Sequence, residues 1–112
     1  MTHKEILDEL RQPVKDLREH ISGVFEGYAA LSGAVFVDGA LDAKTKELIA
    51  LAVAVTKQCD GCMASHARGA ARRGATAEEV AEALGVAILM NGGKGTVHAP
   101  RAFEAFQELT NK

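Results

Sequence analysis

At 112 residues, with 47% hydrophobic and 25% charged residues, the chain has the size and composition of one globular domain with a modest core. Aromatics make up 4% and tryptophan is absent, so that core must be built from Ala, Val, Leu and Ile, which suits closely packed helices. A formal net charge of −2 gives no general support for nucleic acid or an anionic membrane; no apolar run reaches bilayer length, the N-terminal stretch is too charged for a secretory signal, and a cytoplasmic protein is expected.

Thr2 with Glu5 has the pattern of a capping box and opens a first helix, expected to reach about Leu10. Pro13 suits the first turn of a second helix running to about Phe25. Ile21, Val24, Phe25 and Tyr28 follow at helical spacing and are expected to face the core. Residues 31–40 mix glycines with apolar side chains and read as a packed loop. Asp42 caps a helix from Ala43 to about Lys57, apolar nearly all round from Glu47 to Val55 and therefore central. Its valines permit a strand, but its length and alanines favour a helix. The next helix starts near Asp60 and ends before Gly74, a residue suited to left-handed backbone. Thr76 with Glu79 is a second capping box, for a helix from Ala77 to about Met90 that Asn91-Gly92-Gly93 closes. A last helix covers about Val97 to Leu109, with Ala102, Phe103 and Phe106 on one face. The expectation is an all-α domain over residues 1–112, with about six helices around a central antiparallel hairpin. Helices 43–57 and 77–90 are more apolar than so small a domain can hide, and their alanines and Gly85 allow close approach. A homo-oligomer is the economical way to cover them.

The chain's two cysteines are Cys59 and Cys62, and His66 follows four residues later. They fall at a helix start, where unpaired N–H groups favour a thiolate, and their spacing lets the sulfurs bridge. His66 shares a face with Cys62 at i, i+4, where an imidazole can take the thiol proton or stabilise the thiolate. If the helices fold back as a hairpin, Glu47 comes within about one turn of His66, in reach of a side chain or a bridging water. A carboxylate there would orient the imidazole. Cys59, Cys62, His66 and a distant His98 could also supply four zinc ligands, but His98 lacks the compact second pair that zinc sites use. Neither a metal nor a cofactor is therefore expected. His98 could line the site from the last helix, though a solvated histidine is the simpler reading. Arg68, Arg72 and Arg73 could attract an anionic substrate, or simply complement the helix C-terminus. Met63 and Met90 suit core gaps or an apolar pocket; His3 and His20 have no visible partners. No βαβ pattern supports a thioredoxin-like fold.

The pattern Glu47-x11-Cys59-x2-Cys62-x3-His66 on an all-helical chain of this length resembles the alkylhydroperoxidase D-like core of the carboxymuconolactone decarboxylase family. The resemblance covers about Leu41 to Leu109, and includes the loop 91–95 and the segment Ala-Pro-Arg-Ala-Phe-Glu-Ala-Phe at 99–106. It implies trimers or hexamers and a thiol-dependent peroxidase, with Cys62 attacking, Cys59 as its disulfide partner, and Glu47 and His66 as a proton relay with a water. The best-known enzyme of the family has a histidine just before the second cysteine; here that residue is Gly61. Expected partners are a hydroperoxide and a dithiol or disulfide reductase as electron donor. The remaining readings are a thiol–disulfide oxidoreductase or redox sensor, a decarboxylase of the family's other type, and a zinc-stabilised interaction module.

Overall fold

Six helices follow one another in the computed structural model, which describes residues 2–110: α1 His3–His20, α2 Ser22–Val35, α3 Ala43–Lys57, α4 Asp60–Arg72, α5 Ala77–Asn91 and α6 Gly93–Thr110. Local chemistry accounts for most of their ends. Thr2 accepts the Glu5 N–H at 3.1 Å while the Glu5 carboxylate accepts the Thr2 N–H at 3.2 Å, so two otherwise unpaired donors are satisfied reciprocally. Thr76 and Glu79 repeat the arrangement at 3.1 and 2.9 Å. Asp42 caps α3 through the Thr45 N–H at 2.8 Å. Gly74, at φ 79°, takes the left-handed conformation just beyond α4.

The core is a ring of four helices, in which α3 packs on α4, α4 on α6, α6 on α5 and α5 back on α3. Leu51, Val55, Met63 and Val80 are its largest fully buried side chains. Alanines fill the rest: Ala64, Ala67 and Ala70 of α4 and Ala99, Ala102 and Ala105 of α6 are all buried. Such small side chains bring the helix backbones close. One such approach is at Gly95, where a Cβ would lie 2.7 Å from the Ile88 Cα of α5. Burial of a side chain such as Leu51 contributes about 1.5–3 kcal/mol. Among the described residues, no helix is long and apolar enough to cross a membrane.

The first third of the chain departs from expectation. Pro13 does not open a second helix; it sits inside α1, which continues to His20. Pro13 and Glu9 are both exposed, so water can satisfy the Glu9 carbonyl that the proline leaves without its helical donor. The break comes instead at Ile21, at φ −135° and ψ 48°. Of the residues expected as a loop, 31–35 are the last five of α2, and 36–40 lie outside any helix. Ile21, Val24 and Tyr28 do not face the core but are exposed, and Phe25 is only half-buried. The reason is tertiary: α1 lies on α4 and α6, whereas α2 packs mainly on α1 and has no buried residue. The last helix also begins earlier than expected, at Gly93, and accommodates Pro100 within it. His3, expected to be unpartnered, is buried, with its ring Nδ1 3.2 Å from Glu108 and 3.7 Å from Glu104. It docks the start of α1 onto α6.

Candidate active site

The corner between α3 and α4 is two residues long. Gln58 closes α3 in the left-handed region at φ 54° and donates its N–H to the Ala54 and Val55 carbonyls. Cys59 then returns to extended backbone and serves as the α4 N-cap, its Sγ accepting the Cys62 N–H at 3.2 Å. Cys59 and Cys62 form a disulfide across this first turn, with Cα atoms 5.2 Å apart. Both are half-buried, and Cys62 packs against the core cluster. α1 lies over the turn, because a Cβ at Gly61 would come within 3.2 Å of the Leu10 side chain. A larger residue between the cysteines would have to displace Leu10.

One turn beyond Cys62, the His66 ring reaches across to α3. Its Nδ1 lies 2.9 Å from Oε1 of Glu47. The Glu47 side chain is 8% exposed and that of His66 27%, so the carboxylate is the inner member of the pair. A carboxylate accepts, so Nδ1 donates and Nε2 is left for the proton chemistry. The contact is direct, and the bridging water allowed as an alternative is not needed. Its fit depends on Gly69, three residues past His66 on α4, where a Cβ would overlap the Glu47 carboxylate.

The loop after α2 supplies a wall. Lys46 donates to the carbonyls of Val35 and Val37 at 2.9 and 2.7 Å, and the Asp38 carboxylate accepts the Ala43 N–H at 2.7 Å. These bonds hold Phe36 with its ring centroid 5.9 Å from that of His66. The Arg73 guanidinium lies over the Phe36 ring, 5.9 Å from its centroid. Behind Phe36 a cavity of about 430 Å³ opens onto His66 and Glu47, and Arg68, Arg72 and Arg73 all line it.

Cys59, Cys62, His66 and Glu47, the four residues singled out by spacing, therefore converge at one hairpin corner. His98 does not line the cavity; it is half-buried on α6, and its Nδ1 is shielded without a hydrogen-bond partner among the described residues. Nor does it join a zinc cluster. Among the described residues, the one group of three metal-capable side chains is His3, Glu104 and Glu108. Met63 fills the core, and Met90 lines an apolar groove of about 640 Å³ between α3 and α5. His20 Nδ1 approaches the Asp16 carbonyl at 3.0 Å. Sequence reasoning missed Gly69, Phe36 and Leu10. Only Gly69 carried a signal: glycine inside a helix is unfavourable and asks for a packing reason.

Comparison with known proteins gives a consistent picture. The carboxymuconolactone decarboxylase family model matches residues 22–105. A protein of the cox locus of Paracoccus denitrificans is 44% identical over 79% of this chain and 79% of its own length. A Cupriavidus necator protein is 37% identical over 95% of this chain and 94% of its own. Among solved structures, a carboxymuconolactone decarboxylase family protein of Legionella pneumophila superimposes with a TM-score of 0.94 at 39% identity, covering 97% of each chain. A Thermotoga maritima protein of that family, whose description links it to an antioxidative response, gives 0.78 at 31% identity, covering 92% of this chain and 88% of its own.

Proposed function

Because this chain belongs to the carboxymuconolactone decarboxylase family, we propose that it reduces hydroperoxides through a dithiol–disulfide cycle at Cys59 and Cys62. The observation that carries this reading is the His66–Glu47 pair, bonded at 2.9 Å one helical turn from a cysteine bridge. In the reduced protein, His66 takes the Cys62 proton through Nε2 while Glu47 holds Nδ1–H. The Cys62 thiolate attacks the outer oxygen of the peroxide. An S–O bond forms, the O–O bond breaks, and the alcohol leaves with the proton from His66. Cys62 is then a sulfenic acid, and Cys59 displaces its hydroxyl as water to close the disulfide. Two electrons from an external dithiol reopen it. That thiol attacks Cys59, and Cys62 departs with His66 as proton donor. The need for a thiol donor assigns the protein to a reducing compartment such as the cytoplasm. The antioxidative description of the Thermotoga relative supports the same reading.

We also propose a homo-oligomer. α2 has no buried residue, yet exposes Val24, Tyr28, Leu31 and Val35. The α3–α5 groove leaves Ile49, Val53, Val86 and Met90 open. A second copy of the chain would cover both.

The test is peroxide-dependent consumption of a dithiol by the purified protein. Cys62→Ser should abolish turnover. Cys59→Ser should allow one oxidation per chain, with a trappable sulfenic acid at Cys62, and then stop. Turnover by Cys62→Ser would remove the peroxidase assignment. Slow stoichiometric oxidation of the wild type, with a change in assembly and no turnover, would make the disulfide a switch.

A further inference from the structure

We infer that the cavity beside His66 is a carboxylate subsite, so that the preferred substrates are hydroperoxides carrying a carboxylate several carbon atoms from the peroxide. This rests on the peroxidase reading and adds a substrate class to it.

Three arginines converge on one cavity of about 430 Å³ in a chain whose formal net charge is −2. Among the described residues, none of Arg68, Arg72 and Arg73 makes an ion pair within 4.0 Å; the pairs present involve His3, Arg11, Lys44 and His66. The acidic groups near them are occupied or turned to neighbouring surfaces. Glu47, in the same cavity, is bonded to His66. Glu108 shares an adjoining hollow with Arg68 and Arg72, but accepts from the His3 backbone at 2.9 Å and contacts the His3 ring. Asp38 and Asp42, in a hollow next to Arg73, accept backbone N–H groups at the start of α3. The simpler role for the arginines, neutralising the C-terminus of α4, does not suit Arg68, which lies four residues before the helix ends. Three arginines lining one space supply planar, charged donors of the kind that bind a carboxylate.

Position along α4 sets the length of the substrate. The sulfur of Cys62 precedes His66 by one turn, while the arginines follow it. At about 1.5 Å of rise per residue, Arg68 and Arg72 stand roughly 9 and 15 Å beyond Cys62, less what each long side chain reaches back. A carboxylate held there places a peroxide at Cys62 only if the two are separated by a medium-length chain. The Phe36 ring beside His66 offers that chain an apolar surface.

The experiment has two arms. The first compares kcat/KM for ω-hydroperoxyoctanoate and octyl hydroperoxide. The wild type should prefer the acid at least about tenfold, and the preference should shrink in Arg72→Gln and vanish in Arg68→Gln, Arg72→Gln. Added salt should narrow it. The second arm uses no turnover: octanoate or octanol is titrated into the oxidised protein while the His66 ring and Met90 methyl resonances are followed. Octanoate should move His66, octanol should not, and Arg72→Gln should weaken the octanoate effect. Equal kcat/KM for the two peroxides, or octanoate shifts confined to Met90 in the apolar groove, would overturn the inference. If neither peroxide is reduced but octanoate still moves His66 in an arginine-dependent way, the subsite stands and the peroxidase reading fails.

Discussion

At Gly69, local preference and site geometry pull in opposite directions. Alanine is the better helix former by about 1 kcal/mol, and a surface glycine in α4 would normally gain from the change. Here the added methyl overlaps the Glu47 carboxylate. Gly69→Ala is therefore expected to destabilise the fold by about 1–3 kcal/mol and, on the proposed cycle, to cut peroxide turnover on the order of a hundredfold, as loss of an oriented general base does. Thermal unfolding and kcat/KM measured on one preparation check both. A more stable, fully active variant would mean that Glu47 does not need its present place. The candidate site residues themselves were legible, because two cysteines and a histidine at i, i+3 and i+7 are a local pattern. Glu47 was legible only on the assumption of a hairpin. Phe36 and Leu10 were not legible, since each reaches the site from a separate segment.

The helices are held at their ends by groups whose charge matters. The Lys44 ammonium, 2.8 Å from Glu79, ties α3 to α5. That bond, reinforced by the Thr76 backbone N–H, holds the Glu79 carboxyl below its ordinary range, and the same pair holds Lys44 above its own. The hydrogen bonds from Thr45 lower Asp42 in the same way. A carboxyl lowered in the folded state contributes stability above its unfolded value and loses it as pH falls through the folded one. A raised lysine contributes below its unfolded value and loses it as pH rises through the folded one. Unfolding temperature should therefore be highest between the carboxylate and lysine ranges and decline on both sides. Lys44→Met should remove the alkaline decline and reduce the acid one; a pH series of thermal melts reads this directly. Both capping boxes were visible in sequence because a capping box is a matter of four neighbouring residues. The boundary between α1 and α2 was misplaced because Pro13 looked like a start signal, while the packing of α1 on α4 and α6 carries the helix through it.

On the scale of the whole molecule, a ring of four alanine-rich helices leaves much apolar surface outside. Tyr28 is 68% exposed, Leu89 80% and Met90 76%. A 14-residue helix with no buried residue has little reason to persist alone. Leu31→Glu on α2 and Val53→Glu in the groove should each break the proposed assembly down in sedimentation, and Leu31→Glu should cost α2 helical signal. A wild-type protein that sediments as a monomer would remove the oligomer proposal.

Composition, periodicity and caps, acting over four to fifteen neighbouring residues, were enough to determine an all-α chain, its two capping boxes and a cysteine pair one turn from its histidine. Tertiary structure alone decided that Glu47 meets His66 without an intervening water, that Gly69 makes room for it, and that α2 stays outside the core. Those outcomes depend on the distance between helix axes and on which apolar faces find each other first, and neither is written in the spacing along any single helix.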